Sequence, residues 1–285
     1  MHRLTVFSPA KLNLVLDVLE KRPDGYHELR TIFERISISD QITLTRIKNR
    51  RITIRCDHPH VPCGPRNLVY KAAIMLSQDF SISEGLNIDI IKNIPVAAGL
   101  AGGSSNAAAV LSGLNRLWHL GLNEAQMVKY AARLGSDVAF FLYDTSYALG
   151  TGRGEHIKPL NVKTKLWHVL VTPRVKMYTP EVFARLKLNL TNKRDNANIL
   201  LPFLKKGDLI RLAGALSNDL EPAILSLRPD FIYLKEKLLD AGATGVCFSG
   251  SGPSVFACAL TERHAFSIRA KFDRRYSQVF VVSTL

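Results

Sequence analysis

A glycine-rich segment near the middle of the chain has residue types and spacing that suit phosphate binding. Strand-like residues Leu86–Ile91 precede it, and apolar residues recur at helical spacing from Ala107 to Trp118 after it. Backbone N–H groups at a helix start lack intrahelical acceptors and attract anions. The segment consists of Pro95, Val96, Ala97, Ala98, Gly99, Leu100, Ala101, Gly102, Gly103, Ser104 and Ser105. By itself it is equally consistent with a plain turn in which Ser104 or Ser105 caps the helix.

Two familiar phosphate-binding patterns do not fit this segment. A Walker A loop places lysine after its last glycine, to reach the β- and γ-phosphates, whereas Ser104 follows Gly103 here. A dinucleotide fingerprint requires G-x-G-x-x-G, which the run from Gly99 to Gly103 does not supply. If the segment binds phosphate, it belongs to another type of loop.

Lys11, Asn13 and Asp137 are candidate polar groups of a reactive centre. Lys11 and Asn13 are two residues apart on a strand-like apolar segment, so they share one face. From the sequence alone, the favoured interpretation is that this face is exposed to solvent. In the alternative interpretation, both side chains point into a binding or reactive site. Asp137 precedes the apolar run Ala139–Leu142, where partial burial would favour pairing with a cation such as Lys11. Asp137 as the N-cap of the next turn is the competing interpretation.

Two turns offer further binding groups. In Arg22–Glu28, Pro-Asp-Gly predicts a turn, and Tyr26 and His27 follow it. An aromatic ring and an imidazole together can stack on a nucleobase and hydrogen-bond to its edge, or can simply pack as part of a hairpin. The second Gly/Ser turn, Phe248–Ser254, could close over phosphates or merely connect two strands.

One short segment carries several possible zinc ligands: Cys56, His58, His60 and Cys63. Structural zinc sites favour paired spacings such as C-x₂₋₄-C and H-x₃₋₅-H, and two prolines hinder tetrahedral closure in this segment. The sequence therefore disfavours a zinc site, and it leaves open whether these residues bind any metal.

Composition and charge limit the class of protein. The chain has 285 residues, 47% of them hydrophobic, and a net charge of +14. Its basic residues are scattered, which indicates a solvated basic surface rather than a nucleic-acid interface. No apolar run reaches membrane-spanning length, the N-terminus shows no targeting segment, and four cysteines do not suggest a disulfide framework. We expect a cytoplasmic enzyme without nucleic-acid or membrane partners, either a monomer or a homodimer.

Hydrophobic patterns predict mixed strands and helices throughout, and hence an α+β fold of two domains. The charged stretch Glu155–Lys165 contains proline and is taken as the boundary, giving domains at 1–160 and 161–285. Predicted strands include Leu12–Val18, Thr31–Ile38, Ile42–Ile47, Ile52–Cys56, Ser146–Leu149, Trp167–Thr172, Thr244–Phe248, Val255–Ala259 and Val279–Ser283. Predicted helices are Leu68–Ser77, Asn106–Trp118, Glu124–Leu134, Pro180–Leu186, Ile199–Leu204, Asp208–Leu216, Pro229–Leu239 and Glu262–Phe272.

Taken together, these motifs resemble the GHMP kinase superfamily. The segment Pro95–Ser105 is similar to its phosphate-binding motif, P-x-x-x-G-L-x-x-x-S-S, although Ala98 and Ala101 replace frequent glycines. The backbone donors remain, so phosphate binding is expected to survive. Further matches in the family's order are Pro9–Leu14, Arg22–Thr31, Asn67-Leu68, Gly135–Val138, Gly152–Glu155, Asn218–Glu221 and Gly245–Ala257.

The resemblance implies a two-domain fold and a reaction. The fold would have an N-terminal half like ribosomal protein S5 domain 2 and a ferredoxin-like C-terminal half. ATP, with Mg²⁺ near Ser104 or Ser105, would phosphorylate the 2-hydroxyl of 4-diphosphocytidyl-2-C-methyl-D-erythritol in the non-mevalonate isoprenoid pathway. No metal ligand is assigned.

The resemblance also implies roles for individual residues. Asp137 matches the catalytic aspartate, and Lys11 matches the lysine that polarises the hydroxyl. Residues Pro95–Ser105 would bind the phosphates of ATP, and Asn67 and Lys92 would lie near its adenosine. The cytidine end would be held by Asn13, Tyr26, His27 and Phe183. Asn218–Glu221 matches the family without an implied role.

Two other functions stay open at this point. A sister GHMP kinase acting on homoserine, mevalonate or a sugar would share the loop but would not need Asp24-Gly-Tyr-His27. A basic RNA-binding protein built on an S5-like half would bind RNA with a steep salt dependence and no ATP turnover. The scattered basic residues and the acidic Asp137 argue against the second alternative.

Overall fold

Strands and helices are mixed along the chain, which confirms the predicted α+β class. The computed structural model describes residues 2–187, 195–272 and 278–285. The strands are β1 (Arg3–Lys21), β2 (His27–Ile47), β3 (Ile52–Cys56), β4 (Gly85–Ile91), β5 (Tyr147–Gly152), β6 (His156–Leu160), β7 (Trp167–Val171), β8 (Ser217–Asn218), β9 (Gly245–Phe248), β10 (Val255–Ala259) and β11 (Val279–Ser283).

The α-helices are α1 (Leu68–Asp79), α2 (Gly102–Leu117), α3 (Glu124–Leu134), α4 (Thr179–Ala184), α5 (Asn196–Lys206), α6 (Leu209–Gly214), α7 (Glu221–Leu227), α8 (Phe231–Asp240) and α9 (Glu262–Ala270), and a 3-10 helix covers Ser136–Leu142. Every predicted helix is present within a few residues. Helix α7 was not predicted; Pro222 lies in its first turn, where proline is well tolerated. Among the described helices, none combines the length and the apolar character needed to cross a bilayer.

Two long strands organise the larger sheet. In hydrogen-bonding order it runs β3-β4-β2-β1-β8, and β5 joins β2 and β6 joins β5. Strand β2 pairs antiparallel with β5 over Leu29–Glu34 and with β4 over Gln41–Ile47. A second sheet has the order β11-β7-β10-β9 and is antiparallel throughout.

Strand β2 was predicted as two strands, Thr31–Ile38 and Ile42–Ile47, and that break is wrong. Asp40 lies between the two predicted strands. Its buried carboxylate accepts hydrogen bonds from the backbone N–H groups of Asn93 and Ile94, each at 2.8 Å. A buried carboxylate with these donors is compatible with an uninterrupted strand.

The chain divides into two compact units that interleave in sequence. Unit 1 comprises Met1–Ala10, Ile38–Val96 and Ala101–Asp144, and unit 2 comprises Lys11–Ser37, Ala97–Leu100 and Thr145–Leu285. Within the stretch taken as the domain boundary, residues of β6 pair with β5. Pro159 fits there because strand β6 lies at a sheet edge, where a missing N–H leaves no ladder bond unmade. The boundary between 160 and 161 remains a prediction.

Unit 1 is built around helix α2, which packs on α1, α3 and the 3-10 helix. Its apolar stripe, including Val110, Leu111 and Leu114, is fully buried. Helix α3 starts with a reciprocal capping box between Asn123 and Gln126, which satisfies two backbone donors at its N-terminus.

Unit 2 contains the four-stranded sheet, with α9 packed on β7, β10 and β11, and α8 on β9 and β10. Its core combines sheet residues Val169, Phe248 and Ala257 with helix residues Ile224 and Leu238. The strand segment that carries Leu16 and Val18 contributes to the same core, so the C-terminal part of β1, which lies within this unit, is held by apolar packing.

Candidate active site

The N-terminus of helix α2 is the centre of the predicted phosphate loop. The helix begins at Gly102, four residues before the predicted start, and Ala101 occupies the N-cap position without a side-chain hydrogen bond. The N–H of Ser105 bonds to the carbonyl of Ala101 at 2.9 Å, so the donors of Gly102, Gly103 and Ser104 precede the helical ladder. No acidic residue lies in this first turn. The geometry suits an anion, and the serine N-cap interpretation is wrong.

Ser105 carries a buried hydroxyl within the first turn of α2. Its side chain is 1% exposed, and among the described residues its Oγ has no hydrogen-bond partner. A buried hydroxyl in that state costs free energy, which a ligand at the helix start would recover. Gly103, two residues earlier, is exposed and has no described atom within 4 Å of an added Cβ, so this part of the helix start is open.

Two alanines of the loop have left-handed backbone conformations. Ala97 has φ 54° and Ala101 has φ 53°. Residues with a Cβ pay a steric cost of about 1–2 kcal/mol in this region, whereas glycine does not. Ala101 is one of the two positions where the family often carries glycine, so here the conformation is kept at the expense of some strain. Ala98, the other position, is buried without a positive φ.

A buried ion pair lies just before the loop and was missed by the sequence interpretation. The Lys92 ammonium is 2.7 Å from the Asp40 carboxylate, and it also donates to the carbonyl of Ile94. Burial lowers the pKa of Lys92, and the attraction of Asp40 opposes that shift. These contacts anchor the chain where it enters the loop. They also occupy the Lys92 side chain, so its predicted position near the adenosine stays a prediction.

Asn67, predicted to contact ATP, caps helix α1 in this structure. Its Oδ1 accepts from the N–H of Val69 at 2.9 Å, and its Nδ2 donates to the carbonyl of Pro62 at 2.7 Å. The cap explains why asparagine follows a loop and precedes a helix here. A nucleotide contact of Asn67 stays a prediction.

Asp137 lies in the first turn of the 3-10 helix Ser136–Leu142 and is half-buried. Gly135 occupies the N-cap position there, so the interpretation of Asp137 as an N-cap is wrong. The following residues Val138, Ala139 and Phe140 are buried, as expected from the apolar run. Rigid packing of that run fixes the backbone from which the Asp137 carboxylate projects.

Lys11 and Asn13 form a buried polar chain on β1, and the solvent-exposed interpretation is wrong. Lys11 is 4% exposed and Asn13 is 2% exposed. Lys11 Nζ donates to Asn13 Oδ1 at 2.6 Å, and Asn13 Nδ2 donates to Thr31 Oγ1 at 2.8 Å. Thr31 donates in turn to the carbonyl of Val15 at 2.6 Å. Each member orients the previous one, so the ammonium is held in one position.

The structure brings His27 and Phe183 together and gives Tyr26 a cationic neighbour. The rings of His27 and Phe183 have centroids 4.9 Å apart and are tilted by 30°. The Arg153 guanidinium lies 4.9 Å from the centroid of the Tyr26 ring, which is 57% exposed. Burial and the charge of Lys21 lower the pKa of His27, which favours the neutral imidazole with one donor and one acceptor.

The turn that carries these aromatic residues is held by local polar contacts. The Asp24 carboxylate accepts from the N–H of Tyr26 at 3.0 Å, and Arg22 pairs with Glu28 at 2.7 Å. Glu28 also accepts from the N–H of Gly152 at 3.0 Å. These bonds connect the Pro-Asp-Gly turn to the strand that leads into Arg153. The match at Gly152–Glu155 was the available signal for Arg153, but no role was attached to it.

The second Gly/Ser turn contacts the phosphate loop at Gly99. Ser249 Oγ donates to the Gly99 carbonyl at 3.0 Å, and a Cβ added to Gly99 would lie 2.2 Å from the Ser249 carbonyl oxygen. Gly99 also has φ +74°. Glycine is therefore required there both for the backbone conformation and for the close approach of the two turns.

The segment with cysteines and histidines has no metal-site geometry in the structure. Each of the four cysteines in the chain is a free thiol. In the described parts of the chain, no group of three or more His, Cys, Asp or Glu side chains is placed to hold a metal ion.

The comparisons with known proteins agree with this architecture. The profile described as GHMP kinases N terminal domain matches residues 67–145, and that described as GHMP kinases C terminal matches residues 200–278. Relatives from Brevibacillus brevis and Bacillus mycoides are 40% and 42% identical over 283 residues, which is 99% of this chain and 97% of each relative. The chain belongs to the GHMP kinase family, whose two-domain fold it has.

The relatives also indicate a position within that family. Both are named 4-diphosphocytidyl-2-C-methyl-D-erythritol kinase. A crystal structure of 4-(cytidine 5'-diphospho)-2C-methyl-D-erythritol kinase superposes with a TM-score of 0.84 at 30% identity, covering 98% of both chains. Homoserine kinase from Cytophaga hutchinsonii superposes with a TM-score of 0.77 at 20% identity over 100% of this chain and 95% of that one, a likeness of fold alone.

Proposed function

We propose that this protein transfers the γ-phosphoryl group of ATP to the 2-hydroxyl of 4-diphosphocytidyl-2-C-methyl-D-erythritol, a step of non-mevalonate isoprenoid synthesis. The supporting structural observation is the open N-terminus of α2, where the first N–H groups have no intrahelical acceptor and the Ser105 hydroxyl is buried. The choice of acceptor is supported by relatives at 40–42% identity over 99% of the chain.

Phosphoryl transfer depends on positioning and on stabilising negative charge. The α2 donors would bind the triphosphate of ATP, and the helix dipole would favour its charge. Segment Pro95–Ser105 thus provides backbone donors rather than a lysine. Asn67 would lie near the adenosine and keep its role as the α1 cap.

Mg²⁺ would supply charge neutralisation on the phosphates. Nucleotide-bound Mg²⁺ is held by the substrate phosphates and by a few protein groups, which are carboxylates in many sites and a Ser or Thr hydroxyl in phosphate-binding loops. The buried, unpartnered hydroxyl of Ser105 is an oxygen donor of this kind, and Ser104 is its neighbour in the same helical turn. These two residues would hold the ion.

At the acceptor end, Asp137 would take the proton of the 2-hydroxyl as the phosphoryl group arrives. Lys11 would polarise that hydroxyl and stabilise the carboxylate. The hydrogen-bonded chain through Asn13 and Thr31 supports this assignment because it fixes the ammonium in place. A fixed cation needs no reorganisation when negative charge develops.

The cytidine end would be bound by Tyr26, His27, Phe183 and Asn13. The neutral imidazole of His27 offers one donor and one acceptor, which suits the mixed donor and acceptor edge of cytosine. The contact between His27 and Phe183 and the exposed face of Tyr26 support an aromatic site for a base. Asn13, which bonds to Lys11, would contact the substrate closer to the reacting hydroxyl.

The test is an ATP-dependent assay of the purified protein with the cytidyl substrate, homoserine, mevalonate and a sugar panel. We expect ADP release and a new phosphate monoester with the cytidyl substrate only. Turnover of homoserine or mevalonate, with none of the cytidyl substrate, would overturn the assignment in favour of a sister kinase. RNA binding without ATP turnover would support the RNA-binding alternative.

A further inference from the structure

Asn218 is a buried amide whose hydrogen-bonding atoms are all engaged with backbone. Its side chain is 6% exposed. Nδ2 donates to the carbonyls of Phe248 and Gly250 at 2.9 and 2.8 Å, and Oδ1 accepts from the N–H of Leu220 at 2.9 Å. Asparagine is a short side chain that offers both the two N–H donors and the acceptor oxygen that these three bonds need. Aspartate lacks the donors, and leucine lacks both the donors and the acceptor.

The two carbonyls bound by Asn218 belong to the second Gly/Ser turn, Phe248–Ser254. Between them lies Ser249, whose hydroxyl donates to the Gly99 carbonyl at 3.0 Å. The amide of Asn218 therefore fixes both sides of the residue that contacts the predicted phosphate loop. The overlap that any Cβ on Gly99 would create shows how closely the turn approaches this loop.

The same turn also reaches the polar chain of β1. A Cβ placed on Gly250 would lie 3.5 Å from Lys11 Nζ and 3.4 Å from Asn13 Oδ1. Gly250 thus lines the position of the Lys11 ammonium. Because Asn218 Nδ2 bonds to the Gly250 carbonyl, the amide is linked to Lys11 through one residue of backbone.

Asn218 is itself anchored to the strand that carries Lys11. It pairs with Leu16 in the parallel β1–β8 ladder. The next residue, Asp219, donates its N–H to the Leu16 carbonyl at 2.9 Å, and its carboxylate accepts from the N–H of Val18 at 2.8 Å. Strand β1 and the turn Phe248–Ser254 are both hydrogen-bonded to the segment Asn218–Asp219. The distance between the strand and the turn therefore depends on Asn218.

We infer that Asn218 is a positioning residue for phosphoryl transfer: its amide sets the Phe248–Ser254 turn against Gly99 and Lys11 and so fixes the lysine for the reaction. This inference rests on the proposed function for its catalytic consequence. It assigns a role to the motif Asn218–Glu221, which the family resemblance leaves without one. A residue needed only for stability would affect folding without selectively freeing Lys11.

The test compares Asn218→Ala and Asn218→Asp with Thr172→Val. Thr172 is a buried residue whose hydroxyl bonds to Ser254 at 2.8 Å, at the other end of the same turn, so Thr172→Val removes one buried hydrogen bond there without touching the carbonyls that Asn218 binds. In Asn218→Asp, an ionised carboxylate has no N–H or O–H to donate to the carbonyls of Phe248 and Gly250. Thermal denaturation of each variant sets a temperature at which all are folded.

Two readouts are then measured on the full chain at that temperature. The first is the rate at which an amine-reactive reagent labels Lys11, followed by mass spectrometry. The second is kcat at saturating ATP and acceptor alcohol. We expect both Asn218 variants to label Lys11 at least fivefold faster and to lose at least tenfold in kcat. Thr172→Val should stay within twofold of the unmodified protein in both.

Unchanged labelling and kcat in folded Asn218 variants would overturn the inference, and so would equal effects of Thr172→Val. If Asn218→Ala does not fold, Asn218→Asp is measured from pH 8 down to pH 6. Protonation of the buried carboxyl restores one donor, so kcat relative to the unmodified protein should rise as the pH falls. Labelling does not depend on the acceptor, and kcat can be taken with whichever alcohol turns over. Failure of the cytidyl assignment is therefore distinguishable from failure of the role of Asn218.

Discussion

Lys11 shows how a single side chain is given a defined position. An exposed lysine samples many rotamers, but this ammonium is bound to Asn13 and lies 5.4 Å from the Phe33 ring centroid. Burial of a charged group is costly unless it is paired and hydrogen-bonded. The chain through Asn13 and Thr31 supplies part of that compensation, and a phosphoryl group would add more.

The role of Asp137 can be tested by an isosteric change. Asp137→Asn should lower kcat by about 10²–10⁴-fold, because general-base catalysis contributes on that order. Affinity for ATP, measured by equilibrium binding, should change little, since the nucleotide is assigned to the α2 terminus. Asp144→Asn, an exposed carboxylate seven residues later, is the control and should behave as the unmodified protein. Near-normal turnover of Asp137→Asn would remove it as the base.

The aromatic pair can be tested as a unit. His27→Ala and Phe183→Ala should each raise KM for the cytidyl substrate far more than KM for ATP. Because the rings are in contact, the double variant should lose less than the sum of the two single effects in free energy. Steady-state kinetics of all four proteins measures this coupling. Equal increases in both KM values, or strict additivity, would contradict a shared cytosine site.

At the level of elements, the approach of two turns determines where glycine is needed. Gly99 meets the Ser249 carbonyl in a left-handed conformation, whereas Gly103 lies in the open first turn of α2. Glycine is therefore needed at these two positions, four residues apart in one loop, for different physical reasons. The first serves backbone packing, and the second leaves the helix start accessible.

This difference predicts opposite effects on stability. Gly99→Ala should lower the free energy of unfolding by at least about 2 kcal/mol, because it adds left-handed strain and a backbone overlap. Gly103→Ala should leave stability unchanged or raise it by up to about 1 kcal/mol, since alanine favours helix. Urea denaturation measures both. Similar losses for the two variants would show that the approach at Gly99 is not decisive.

At the level of the whole molecule, a buried network in unit 2 ties the C-terminal end of the chain to its sheets. His168 Nε2 lies 2.8 Å from the Glu34 carboxylate, and Thr284 donates to the same carboxylate at 2.6 Å. Tyr147 bonds to Thr284 at 2.9 Å. Burial alone would lower the pKa of His168, but Glu34 and Cys258 outweigh it and raise the pKa to about 10.

The network predicts a pH dependence of stability. His168 keeps its proton in the folded state up to about pH 10, whereas in the unfolded chain it is lost near pH 6.5. Its stabilisation is therefore complete below pH 6.5 and is lost as the pH rises toward 10, by up to about 1.4 kcal/mol per pH unit. Denaturation between pH 6 and 9 measures the slope. His168→Gln should flatten it and exposed His156→Gln should not; an unchanged slope in His168→Gln contradicts the assignment.

The net charge of +14 supplies a second whole-molecule prediction. ATP and the cytidyl substrate are polyanions, and a positive field accelerates their encounter. Raising NaCl from about 50 to 500 mM, where the Debye length becomes shorter than 10 Å, should lower kcat/KM while kcat stays constant. Initial rates for both substrates measure this. A parallel fall of kcat would place the salt effect on the chemical step instead.

The sequence by itself determined the α+β class, nearly all the helices and strands, and the family. Each of these depends on local information, such as the periodicity along α2 and the motif Pro95–Ser105. Local chemistry also identified Lys11, Tyr26 and Asp137 as polar or aromatic groups in unusual settings, although it favoured the wrong face for Lys11.

Only the tertiary structure decided which of these groups are buried, held and in contact. The burial of Lys11, the continuity of β2 through Asp40, and the meeting of Gly99 with Ser249 involve residues 18 to 150 positions apart along the chain. Such contacts leave no periodic trace, because they depend on how elements pack rather than on neighbours in sequence. For the same reason the sequence assigned no role to Asn218. The structure shows that its amide binds the turn Phe248–Ser254, which contacts the phosphate loop at Gly99.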